Sequence, residues 1–131
     1  MVLYILDALG LAVSKGLYLP LVYNSGGFDS AETLKLLARI IDIYMPDMEY
    51  SDEKTAEQLS GIKDYPKVNK AAVKEMQRQV DDLQMDGGGM VHRGLLVRHL
   101  VLPNRIAGTQ EVVRFLAQEV STNTYLNIMA Q

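Results

Sequence analysis

An α/β fold organised on a parallel sheet is predicted by three observations. Segments with helical spacing alternate with short apolar runs along most of the chain. The runs stop on turn formers, as in "LVYNSGGFDS" (residues 21–30), "IYMPD" and "VLPN". The 131 residues, 48% hydrophobic and 22% charged, have the size and composition of one globular domain spanning 1–131.

The first helix is predicted over Val2–Lys15, where Leu3, Leu6, Leu9 and Val13 fall near helical spacing and Gly16 can close it with positive φ. Pro20 forbids more helix, so Leu21–Tyr23 reads as a first strand, apolar on both faces like a buried parallel strand. Asp29 is the expected cap of the next helix, with Glu32 reaching back and Leu34, Leu37 and Ala38 facing inward. A second strand, Ile40–Tyr44, is stopped by Met45-Pro46-Asp47. The polar stretch "EYSDEKTAEQLSGIKDYP" reads as a surface insertion holding a short helix, Glu53–Leu59, ended by Gly61. Val68, Ala72, Met76, Val80 and Leu83 recur every three or four residues and predict an amphipathic helix over Val68–Leu83. "DGGGMVHRG" is expected to be a flexible loop before the strongest strand, "LLVRHLVLP", which Pro103 ends. Thr109 is the expected cap of a helix carrying Val112, Val113, Leu116 and Val120, and "TYLNIM" (124–129) is the fourth strand. The expected architecture is thus a parallel four-stranded sheet with alternating helices. Four such units are half of the eight in a complete (β/α)8 barrel, so the chain reads as part of something larger.

Charge and composition narrow the function. A net charge of −3 leaves no clustered basic surface, so nucleic acid is not an expected partner. No apolar run reaches the ~18 residues of a membrane span, and "MVLYILDALG" lacks a basic leader region, which predicts a cytoplasmic protein with no membrane partner. With no cysteine, the chain has no disulfide, no thiolate nucleophile and no thiolate ligand for zinc or an iron–sulfur cluster.

In parallel α/β folds, ligands bind beyond the carboxyl ends of the strands. This points to Asn24, Ser25, Gly26 and Gly27; to Asp47 and Glu49, which alternate in extended chain and so point the same way; to Arg98 and His99; and to the end of "LNIMAQ". The Asn-Ser-Gly-Gly turn can serve an anion or a ribose, or simply be a tight turn needing positive φ. Asp47 and Glu49 can meet a hydroxyl or cation, or be solvated loop carboxylates. Arg98 and His99 face opposite sides of their strand, and a charged Arg98 in so apolar a run requires a partner. His99 is expected to be a hydrogen-bonded packing residue and His92 an exposed one. "GGGMVHRG" precedes a strand and lacks a Gly-Lys-Ser/Thr ending, so it is not a phosphate loop. The seven methionines read as core filler.

Taken together, "LPLVYNSGGFDSAETLKLL", "IDIYMPDMEYSDEKTAEQLSGIKDYP", "AAVKEMQRQV", "GLLVRHLVLPN" and "STNTYLNIMAQ" resemble the radical SAM proteins of the pyruvate formate-lyase activating enzyme-like group, in order and approximate spacing over nearly the whole chain. The resemblance implies a partial (β/α)6 TIM-like barrel, of which this chain matches the C-terminal portion. It also implies a parent that reductively cleaves S-adenosylmethionine at a [4Fe-4S] cluster to give a 5′-deoxyadenosyl radical. Carried over, it places Asn24, Ser25 and Gly26 near the ribose and methionine end of S-adenosylmethionine, Asp47 at the Asp of an Asp-x-Lys pattern, and Arg98 near cofactor or substrate. Glu49 stands at the Lys of that pattern, and Asp81 where relatives commonly have Gly, a difference read as surface variation. The three-cysteine cluster loop is missing, so this polypeptide is expected to be inactive alone and to self-associate through uncovered barrel surfaces. The substrate receiving the radical is not identified by any motif, and a protein substrate is among the options. The alternative is a stand-alone, non-catalytic α/β binding or interaction domain.

Overall fold

The computed structural model describes residues 2–130. In chain order the elements are α1 (Val2–Ser14), β1 (Val22–Ser25), α2 (Ala31–Lys35), β2 (Ile43–Pro46), α3 (Glu53–Ser60), α4 (Tyr65–Val80), β3 (Gln84–Met85), β4 (Val91–Val101), α5 (Thr109–Phe115) and β5 (Tyr125–Ala130). A short 3₁₀ turn, Pro103–Arg105, follows β4, and α5 runs on into a π-helical turn, Leu116–Val120.

The α/β class and the parallel sheet are as expected. Strands β1, β2, β4 and β5 are parallel in that spatial order, with Val22–Ser25 beside Ile43–Pro46, Ile43 and Tyr44 beside Gly94 and Leu95, and Leu96–Val101 beside Tyr125–Ala130. The sheet has a fifth member that the sequence reading missed: β3 pairs antiparallel with the start of β4, giving a hairpin where a flexible loop was expected. Asp86 ties this turn, its Oδ1 accepting the N–H groups of Gly88 and Met90 and its Oδ2 meeting exposed His92 at 2.9 Å. Such a local side-chain turn gives a glycine run a definite shape.

The two faces of the sheet differ. Tyr23, Tyr44, Leu95, Val97 and His99 lie on one face and are buried with Leu34 and Leu37, with Val73, Met76 and Val80 of α4, and with Val112, Phe115 and Leu116. Each fully buried Leu, Val or Phe side chain contributes roughly 1.5–3 kcal/mol. The other face carries Val22, Asn24, Met45, Asp47, Leu96 and Arg98, none of them buried. Strand β1 therefore is apolar on both sides but not buried on both as expected: Val22 is 52% exposed while Tyr23 is 8%.

Three further expectations are corrected. Asp29 does not cap α2, whose N-cap is Ser30; its carboxylate accepts from Tyr23 Oη at 2.9 Å and Ser25 Oγ at 2.7 Å. Thr109 does not cap α5 either, because its hydroxyl is engaged by His99 Nε2 at 2.9 Å and Gly108 takes the N-cap position. The polar stretch after Glu49 is more than a surface insertion. Its α3 is capped by Asp52 and closed by Gly61, but Ala56 and Tyr65 are buried, and α4 begins at Tyr65 with Pro66 in its first turn. The helix predicted over Val68–Leu83 thus starts three residues earlier and ends at Val80.

Candidate functional site

The carboxyl ends of β1, β2 and β4 bring three of the expected residues together. Arg98 donates from Nε to Asp47 Oδ1 at 2.7 Å and from Nη2 to Asn24 Oδ1 at 3.0 Å, spanning three strands on the open face. The placement follows from register: Asp47 bridges directly to Arg98, and its N–H donates to Ser25 O. The side chains of Arg98 and Asp47 are 27% and 24% exposed, so the pair is shielded without being sealed from a ligand. Arg98 has the partner that its apolar strand demands.

Beyond this row lies a cavity of about 310 Å³ lined by Asp47, Glu49, Tyr50, Arg98, Leu100, Leu102 and Met129. Asp47 and Glu49 share it, as their alternation requires. Burial, and then the charge of Asp47, push the Glu49 carboxyl above its ordinary range. One wall is thus apolar, from Leu100, Leu102 and Met129, and the other carries two carboxylates, a guanidinium and a phenol. A concave site of this kind suits a ligand with an apolar body and a polar end.

Ser25 and Gly26 lie apart from that cavity. Ser25 Oγ turns to Asp29, and Gly26 offers its carbonyl to Tyr65. With Asn24 they line a second groove against Ile5 and Leu9 of α1. Of the remaining strand-end residues, His99 is on the buried face, its Nδ1 donating to Met48 O and its Nε2 hydrogen-bonded to Thr109 Oγ1. Gln131, the end of "LNIMAQ", lies outside the described residues.

The sequence reading missed the residues that hold these loops in place. Tyr65 Oη donates to Gly26 O at 3.0 Å and accepts the Glu49 N–H at 3.1 Å. Asn69, fully buried one turn further along α4, donates to Gly27 O at 3.0 Å and Asp47 O at 2.8 Å. Phe28 stacks on Tyr65 with centroids 6.0 Å apart, and Tyr50 meets it edge-on at 5.7 Å. The start of α4 therefore ties the loop after β1 to the loop after β2. The available signal was Asn69, a polar residue on the apolar stripe of an amphipathic helix. At Gly27, with φ 73°, an added Cβ would collide with Asn69 Nδ2 and the Asp47 carbonyl, so the second glycine of the turn is demanded by conformation and by space.

Among the described residues no group of three or more His, Cys, Asp or Glu side chains is arranged to hold a metal ion, and none of their helices is long and apolar enough to cross a membrane. The chain is 25% identical over 114 residues to an uncharacterized protein of Methanocaldococcus jannaschii, a match covering 86% of this chain and 29% of that relative. The chain thus spans less than a third of the length of the curated relative it matches. No family model and no solved structure matches it.

Proposed function

We propose that this chain is the S-adenosylmethionine-binding, C-terminal portion of a cytoplasmic radical SAM enzyme resembling the pyruvate formate-lyase activating enzymes. The observation that carries the reading is the row Asn24–Arg98–Asp47 at the carboxyl ends of three parallel strands, opening on a cavity that pairs polar groups with an apolar wall. A nucleoside carrying an amino-acid arm offers hydroxyls to Asp47 and Asn24 and an aliphatic chain to Leu100, Leu102 and Met129. The open face supports the barrel part of the reading, since in a (β/α) barrel that face looks onto the interior.

The residues present do not fit a [4Fe-4S] cluster: the chain has no cysteine. S-adenosylmethionine is the source of the 5′-deoxyadenosyl radical in such enzymes, and that chemistry belongs to a longer polypeptide bearing the cluster loop. This chain's own residues bind and orient the ligand. Arg98 fixes the Asp47 carboxylate and the Asn24 amide, and Tyr65 and Asn69 hold the loops that present them.

Saturation-transfer NMR on S-adenosylmethionine with the 131-residue chain tests the reading. Without a cluster to ligate the ligand, binding is expected in the millimolar range, with transfer to ribose protons, and Arg98→Ala abolishes it. A folded chain that gives no transfer supports the stand-alone interaction domain instead.

A further inference from the structure

We infer that Glu49 makes the strand-end cavity selective for a cationic group on its ligand, an ammonium or sulfonium centre, over an anionic one. The inference rests on the S-adenosylmethionine reading and adds which end of the ligand meets Glu49.

Three charged side chains line the cavity, and two of them are matched to each other. Asp47 is paired with Arg98 at 2.7 Å, and a further guanidinium N–H of Arg98 is taken by the amide oxygen of Asn24. Glu49 has no cationic partner within ion-pair distance among the described residues. The lining thus carries one uncompensated negative charge.

The position of Glu49 is fixed, because its backbone N–H is held by Tyr65 Oη at 3.1 Å and the Tyr65 ring is clamped by Phe28 and Tyr50. Both burial and the Asp47 charge oppose ionisation of this carboxyl, and an incoming cation offsets both. A carboxylate entering at the same depth would add a third negative charge. Leu100, Leu102 and Met129 give the non-polar part of the ligand its wall. Complementary charge of this kind sets which of two similar ligands is taken.

The experiment compares S-adenosylmethionine with its decarboxylated form, which keeps the ammonium and sulfonium and lacks the carboxylate. Dissociation constants are read from amide chemical shifts of the 131-residue chain. The wild type is expected to prefer the decarboxylated ligand. Glu49→Gln should weaken that ligand by about tenfold, as loss of a charge-assisted contact does, and Glu49→Lys should reverse the preference. A wild type that binds S-adenosylmethionine more tightly than the decarboxylated form overturns the charge selectivity and leaves the nucleoside reading standing. Failure of the wild type to bind either ligand overturns both. The wild-type ratio decides the matter even if a variant loses its fold.

Discussion

Asp81 closes α4 at φ 65°, ψ −165°, a region that side chains bearing a Cβ occupy only under strain. It stays there because its Oδ1 accepts the Asp82 N–H at 2.9 Å and its carbonyl accepts from Leu95. The Asp at this position is therefore more than surface variation, and Asp81→Gly should stabilise the chain by about 1 kcal/mol. Gly27 is the opposite case. Gly27→Ala meets both a positive φ and the Asn69–Asp47 contact, so a loss of about 2 kcal/mol or more is expected. Urea unfolding of the two variants checks both signs, and a neutral Gly27→Ala would show that the turn relaxes freely. Neither residue's role could be read from sequence. A glycine in a turn signals positive φ, but only the packing of Asn69 reveals the collision.

Among the elements, α4 does most to join core and site, and its polar residues are organised around Glu75. Glu75 is 9% exposed; it accepts two hydrogen bonds from Arg78 and one from Gln79, whose amide also reaches Leu34 O and Tyr44 Oη. The Arg78 bonds foremost, with Gln79, hold the Glu75 carboxyl down at about 2, against an ordinary 4.5. A folded-state value below the unfolded one contributes stability above the ordinary range, and that contribution disappears as pH falls from about 4.5 towards 2. Glu75→Gln should therefore lower the thermal midpoint near neutral pH and flatten its decline over that window. Coincident wild-type and variant curves would show that the network adds nothing. The existence of α4, like that of β1, β2, β4 and β5, was legible because burial follows a period of 3.6 in the helix and of 2 along the second half of β4. Its start was not. Tyr65 and Pro66 sit in a run of polar residues, and Tyr65 is buried by contact with Gly26, Asp47 and Phe28 from loops far from it in sequence. The β3–β4 hairpin escaped for a related reason: three glycines signal freedom, and Asp86 removes it.

On the scale of the whole molecule, the sheet is covered on one face and open on the other, and β1 and β5 each pair on one side only. Exposed Leu3, Tyr4, Leu11 and Val13 of α1 add apolar surface beside the β1 edge. Self-association at micromolar concentration is the expected consequence, with Leu11→Glu shifting the population towards monomer; sedimentation velocity showing a clean monomer for the wild type would contradict it. That same open face carries Asn24, Asp47 and Arg98, which strand-end reasoning singled out together with Glu49, while Tyr65 and Asn69 lay outside its reach because they act from a helix far along the chain. The ligand proposed for this strand-end surface is S-adenosylmethionine. The most direct test of this proposal is a titration of the ¹⁵N-labelled chain followed by amide shifts. Saturable shifts are expected, confined to Asn24, residues 47–50, residues 98–102 and Met129 and lost in Arg98→Ala. Shifts that never saturate, or that gather on the α1 groove, would contradict it.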